Sequence, residues 1–215
     1  MKKESRKYFI LAVCFLLAFV LWTIAICFVD VHAIGPRNSE VGFAVLNGAF
    51  HQLTGVHMTF YHITDWLGLV QIAVALGFAV LGLVQWIKRR NFLNVDFSIL
   101  MLGGFYIVTV AVYILFEYVV INRRPILIDG YLEASYPSST TMLVLCIMPT
   151  AMMQLSNRIR NAILRKVIQI TISAFMVFMV VGRLISGVHW LTDIIGGILL
   201  STGLVLLYQA VCKLR

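Results

Sequence analysis

Apolar residues run along this chain in six long blocks: Tyr8–Val29, Leu67–Ile87, Phe97–Ile121, Thr141–Leu155, Val167–Ile185 and Leu191–Cys212. None shows the strict alternation of a half-buried strand. Most approach the ~20 residues that an α-helix needs to cross a hydrocarbon core of about 30 Å. A lipid-exposed backbone must satisfy its own hydrogen bonds, so helices are the expected state. The pattern predicts an all-α, integral membrane bundle of six transmembrane helices with a long first outer loop. Residues 1–215 are expected to form one working unit. The fourth block is short and should extend at either end, and Pro149 within it predicts a kink. The first block follows MKKESRK like a signal peptide, yet it is too long for a typical cleaved apolar region and no A-x-A site follows. It reads as a retained span.

Composition sharpens this reading. The chain is 61% hydrophobic and 12% charged, whereas soluble domains carry about 25% charged residues. With the N-terminus cytoplasmic, 13 of the 17 basic residues fall on the inside: Lys2, Lys3, Arg6, Lys7, Lys88–Arg90, Arg158, Arg160, Arg165, Lys166, Lys213 and Arg215. The positive-inside rule favours this orientation, with both termini cytoplasmic in a multi-pass plasma-membrane protein. It also accounts for the net charge of +8 as a rim facing anionic lipid, with no nucleic acid partner. Four arginines remain outside, Arg37, Arg123, Arg124 and Arg183. A charge close to a span end is costly without a task.

The connections carry their own signals. The first outer loop, Asp30 to Trp66, contains a moderately apolar stretch that predicts a short interfacial helix or a re-entrant segment. Its His51, His57 and His62 are six and five residues apart, which does not stack three imidazoles on one helix face, so no metal site is expected. Cys14, Cys27, Cys146 and Cys212 sit in apolar stretches and read as small core residues. The second outer loop, Asn122 to Thr140, holds Arg124-Pro125 and Tyr136-Pro137, which break helix, and Asp129-Gly130, which predicts a turn.

Three clusters meet at the predicted outer face: Arg123-Arg124-Pro125, Pro137-Ser138-Ser139-Thr140, and Gly182 to Asp193. Positions i and i+4 share a helix face, so Asp193 should lie under His189. A carboxylate bonded to one ring nitrogen fixes the tautomer and leaves the other nitrogen free to attack. Guanidinium forks match phosphate oxygens, and Ser138 and Ser139 would complete the cradle with hydroxyls and backbone donors. Each cluster alone has a plainer explanation: snorkelling arginines, a helix cap, a structural histidine. Their convergence on one membrane face, opposite nearly all other charge, favours the functional one.

This arrangement resembles the type-2 phosphatidic acid phosphatase family from about Phe97 to the C-terminus. That family's pattern is a lysine seven residues before Arg-Pro, then Pro-Ser-Gly-His, then Ser-Arg followed at fixed spacing by His and Asp. Arg124-Pro125, Pro137-Ser138, and Arg183, His189 and Asp193 match it. The resemblance implies His189 as a nucleophile forming a phosphohistidine, Asp193 orienting it, and Arg124, Arg183 and Ser138 holding phosphate. It implies no metal or other cofactor, and a lipid phosphate or diphosphate as substrate, with undecaprenyl diphosphate, phosphatidate and phosphatidylglycerol phosphate among the family's bacterial substrates. Three positions depart. Glu117 stands where the lysine would be, Thr140 where the second motif's histidine would be, and Gly182 where the serine would be. The missing histidine is the family's general acid, and losing a general acid typically costs about 10²–10⁴-fold in rate. A lipid diphosphate, whose leaving group is a phosphate, would need that proton least; Glu117, Asp129 or Glu133 are alternative donors. A catalytically silent lipid-phosphate binder or scaffold is the competing expectation. A transporter has little support, since spans one to four hold no acid or base near the midplane. No motif encodes an oligomeric state.

Overall fold

A computed structural model of the chain describes residues 3–214. It is all helical in its regular elements: α1 (Lys3–Phe28), α2 (Ala44–Thr54), α3 (Met58–Arg89), α4 (Phe97–Tyr118), α5 (Ser139–Arg158), α6 (Ala162–Ile185) and α7 (Leu191–Cys212). All but α2 are long and apolar enough to cross a membrane. The six-span bundle expected from the apolar blocks is therefore present, and α2 is the short extra helix expected in the first connection.

The boundaries differ where polar residues are helix-compatible. The helix α3 begins nine residues before the apolar block, at Met58 rather than Leu67, so the first long connection ends near His57 and not Trp66. MTFYHITDW contains no proline or glycine, and nothing in it stops a helix. At 32 residues, α3 is about 48 Å long, well beyond the hydrocarbon thickness. Its first turns therefore belong to the end of the bundle. The expected extension of the fourth block occurs at both ends, and α5 runs continuously through Pro149. Asn161 starts α6 five residues early, its side chain accepting from the Ile163 and Leu164 N–H groups.

The centre of the bundle is α7, enclosed by α1, α5 and α4. Such enclosure in a membrane helix relies on small residues that let neighbours approach. A Cβ at Gly196 would lie 2.4 Å from the Tyr136 ring, so glycine there lets the loop before α5 lie directly on α7.

The two ends differ in charge. At one end, here called the foot, lie both ends of the described chain, the α3–α4 turn and the α5–α6 turn. Arg89 and Arg158 flank Asp96 there, at 2.9 and 3.7 Å, and Lys213 pairs with Glu4. The other end, the head, gathers α2, the segment from Val119 to Ser138, and the α6–α7 connection. Lys2 and Arg215, counted with the basic residues above, lie outside the described residues.

Candidate active site at the head of the bundle

The segment from Val119 to Ser138 folds back on itself as a small hairpin. Asp129 and Gly130 occupy its tip with φ of 48° and 80°, the left-handed pair of a tight two-residue turn. Ile128 and Tyr131 exchange backbone hydrogen bonds across it, and the Arg124 N–H donates to the Glu133 carbonyl at 3.1 Å. The turn expected at Asp129-Gly130 is thus formed, and it lays Glu133 beside Arg124. The Arg124 Nε lies 2.9 Å from Glu133 Oε2, while its Nη1 has no hydrogen-bond partner.

The α6–α7 connection passes under the first long connection. Gly187 has φ of 69°, and a Cβ there would lie 2.1 Å from the Gly55 carbonyl oxygen. Only glycine fits both the backbone conformation and the space. This crossing sets His189 just ahead of α7, 4% exposed. The His189 Nδ1 lies 3.1 Å from the Ser135 carbonyl oxygen and 3.7 Å from Asp193 Oδ2. A carbonyl only accepts, so Nδ1 carries the proton and Nε2 carries the lone pair. Nε2 has no partner among the described residues. Burial, reinforced by the positive charge of Arg124 and opposed by Asp193, lowers the pKa of this ring to about 4. The imidazole is neutral near neutral pH.

Asp193 is placed differently from the expectation. It does not bond the ring, because 3.7 Å exceeds hydrogen-bond reach. His189 precedes α7 instead of sitting on it, so the i, i+4 pair comes within 3.7 Å but short of a hydrogen bond. The fully buried carboxylate caps α7 instead, accepting from the Trp190 N–H at 2.9 Å and from Asn122 Nδ2 at 3.3 Å. Its influence on the ring is electrostatic.

Arg183, on the last turn of α6, is 3% exposed. Its Nη2 donates to Asp65 Oδ1 at 3.0 Å and to Thr140 Oγ1 at 2.6 Å, and its Cζ lies 4.9 Å from the Tyr61 ring centroid. Its Nε and Nη1 are buried without partners. Asp65 and Tyr61 come from the early turns of α3. The departure at Gly182 belongs to the same packing: a Cβ there would lie 2.7 Å from Thr64 Cγ2.

Arg124, Arg183, Ser139, Thr140 and Glu117 line one cleft of about 500 Å³, together with Arg123, Asp65, Tyr113 and Glu133. A narrow slot beside it is lined by Glu117, Tyr113, Ser139, Pro137 and His189. Ser138 lies beneath this surface. Its N–H donates to the Asp193 carbonyl at 3.0 Å, and its buried hydroxyl has no partner. The N–H groups of the first turn of α5 open at the same place, as a helix N-terminus suited to an anion. All eight positions singled out in the sequence therefore meet at the head.

Several residues that build the site carried no sequence signal. Asp65, Tyr61 and Asn122 matter only through contacts that α3 and the hairpin create, and Glu133, expected only as an alternative proton donor, pairs with Arg124. Asn47 on α2 is another: its amide donates to Thr192 Oγ1 at 2.9 Å and accepts from the Thr192 N–H at 3.2 Å, pinning the start of α7. The histidines of the first connection go to separate partners. His51 lies against Trp190, His57 bonds the Thr54 carbonyl, and His62 packs on Tyr61.

Comparison with known proteins agrees with this geometry. Residues 117–213 match the family model of the PAP2 superfamily. The fold is similar to a crystal structure of a transmembrane PAP2-type phosphatidylglycerolphosphate phosphatase from Bacillus subtilis, with a TM-score of 0.54, 21% identity and 94% of each chain covered. No curated protein sequence matches the chain. The PAP2 superfamily match thus covers residues 117–213, the part of the chain that carries the candidate site, and the likeness of fold extends over the rest.

Proposed function

We propose that this chain is a membrane lipid phosphatase working through a phosphohistidine at His189. The carrying observation is a neutral imidazole with its Nδ1 proton held by the Ser135 carbonyl and its Nε2 free. Nε2 attacks phosphorus, and water later releases the phosphate. Arg124 and Arg183 each keep unpartnered N–H groups at the cleft. Their paired carboxylates hold the guanidinium planes in place, and the spare donors take phosphate oxygens. Ser139 and the α5 N-terminus complete the cradle, with the buried Ser138 hydroxyl behind it. Asp193 stabilises the ring charge that develops on attack. These groups position the anion and offset its charge, which is most of what phosphoryl transfer requires.

The substrate class we favour is a lipid diphosphate of the undecaprenyl type. The chain lacks the usual histidine acid, and a phosphate leaving group has a second pKa near 6 by analogy with phosphoserine, far below that of an alkoxide. The 215 residues act as one unit in the plasma membrane. The basic foot and both termini are cytoplasmic and the head faces outward.

Phosphate release from detergent-purified protein, given undecaprenyl diphosphate and phosphatidate, tests this. His189→Ala should abolish release, and equal release by both proteins would overturn the reading. A second reading, a binder without turnover, draws on one observation: Arg183 donates to Thr140 and Asp65, so its fork is half engaged before any ligand arrives. That reading requires phosphate-lipid binding with no release by the unaltered protein.

A further inference from the structure

We propose that Glu117 is the proton donor to the leaving group, so that the acid absent at position 140 is supplied from α4. This rests on the phosphohistidine reading above. Two of the three departures from the family pattern, Glu117 and Thr140, then form one compensated exchange.

Thr140 is committed elsewhere. Its hydroxyl accepts from Arg183 Nη2, and a threonine hydroxyl does not titrate usefully near neutral pH. Three carboxylates line the cleft: Asp65, Glu117 and Glu133. Asp65 is paired with Arg183 and Glu133 with Arg124. Both of these carboxylates are already occupied in aiming a guanidinium. Among the described residues, Glu117 pairs with none of the three cleft arginines, and its neighbour is the Tyr113 hydroxyl one helical turn earlier. Asp129, at the hairpin tip, lines neither the cleft nor the slot.

Placement favours the same residue. Glu117 lines both the arginine cleft and the slot that reaches His189. Tyr113, Ala134 and Ser139 share that double position, but a phenol is a weak acid at neutral pH, and the other two donate no proton in this range. A group reaching phosphorus between nucleophile and arginines meets Glu117 at the border of the two compartments.

The step balances as follows. The His189 Nε2 lone pair forms the N–P bond, and the bond from phosphorus to the bridging oxygen breaks. The Glu117 carboxyl proton passes to that oxygen, leaving a carboxylate. In the second step a water attacks phosphorus, Glu117 takes its proton, the N–P bond breaks, and phosphate leaves with the acid regenerated. A carboxyl is a stronger acid than an imidazolium, and Brønsted matching suits it to a less basic leaving group, a phosphate over an alkoxide.

The test compares leaving groups. Glu117→Gln should lower kcat/KM on farnesyl diphosphate by roughly 10²-fold, yet change kcat/KM on 2,4-dinitrophenyl phosphate by no more than about threefold, since kcat/KM reports the step in which the leaving group departs and a dinitrophenolate, far less basic than a phosphate, departs without a proton. Glu117→Asp should retain part of the farnesyl diphosphate rate. Folding of each variant is checked by its thermal midpoint in detergent. Equal losses on both substrates, or none on either, overturns Glu117 as the acid while leaving the phosphatase reading intact. No release from either substrate by the unaltered protein sinks that reading, and this inference with it.

Discussion

The head of the bundle has two halves that are held in very different ways. The half built by α6, α7 and the connection between them keeps the family pattern at Arg183, His189 and Asp193, and it is sealed. Asp193 and Thr192 are fully buried, and His189 and Arg183 nearly so. Asp193, Thr192 and His189 are fixed by hydrogen bonds to backbone or to a buried amide, with Asn47 and Asn122 reaching in from two other elements, and Arg183 is held by Asp65 and Thr140. The half built by α4, the hairpin and the start of α5 carries two of the three departures, Glu117 and Thr140, and it is open. Glu117 is exposed, and the Glu133 side chain is 45% exposed. A nucleophile must be held to a fraction of an ångström, so a buried polar network suits it. A group that meets a departing, variable lipid needs access instead. Under the proposed function, the sealed half would set the chemistry and the open half what leaves.

The largest test of that contrast is its dependence on pH. His189 has a folded pKa of about 4, below the unfolded value of about 6.5. Between those values the unfolded chain takes up a proton that the buried ring refuses, so stability rises with pH across that window and is level above it. The full stability is present above pH 6.5 and falls as pH drops towards 4, by on the order of 3 kcal/mol. Thermal midpoints in detergent at pH 7.5 and 4.5 measure this. His189→Gln should show a clearly shallower decline. Parallel declines would mean that the ring is hydrated when folded, and the sealed half would not be sealed.

How far the sequence reaches follows the same division. The six spans and the basic foot were legible because lipid imposes long apolar runs and lysines and arginines punctuate them. The start of α3 was not, since Tyr61, Thr64 and Asp65 belong to an apolar–polar mixture that reads equally as loop. Their three- and four-residue spacing is a helical face, but only Arg183 packed against it gives that face a purpose. The spacing of Arg183, His189 and Asp193 pointed to three residues that do meet at the head, but also to a hydrogen bond between His189 and Asp193 that stops at 3.7 Å. The helix begins after His189, and the residue that takes the Nδ1 proton is a backbone carbonyl, Ser135, which no side-chain motif encodes. The pairing of Arg124 with Glu133 needed the turn at Asp129-Gly130 to be closed in register, and the two-residue turn signal supplied half of that.

An intermediate effect should come from the amide that joins the two halves. Asn122, at the base of the hairpin, donates to Asp193 Oδ1 at 3.3 Å and is itself buried. Asn122→Ala leaves a buried carboxylate short of a donor, a loss of about 1–3 kcal/mol. The thermal midpoint should fall accordingly, and phosphate release should fall with it as the start of α7 loosens. Asn122→Asp should be worse, because it sets two carboxylates side by side in a buried space. A midpoint unchanged by either substitution would show that Asp193 is held by the Trp190 N–H alone and that the halves are independent.

The smallest effect on stability should come from the pair that most resembles a bound ligand. Glu133 lies on Arg124 across a half-exposed contact, and exposed ion pairs contribute about 0–1 kcal/mol. Glu133→Gln should therefore leave the midpoint nearly unchanged while removing the anion that competes with substrate for Arg124. If the open half governs access, KM for a lipid diphosphate should fall by about 2–5-fold, the equivalent of a fraction of a kcal/mol to 1 kcal/mol in binding, with kcat little altered. A rise in KM would mean the opposite: Glu133 serves to aim the guanidinium, and the hairpin is as much a part of the fixed machinery as α7.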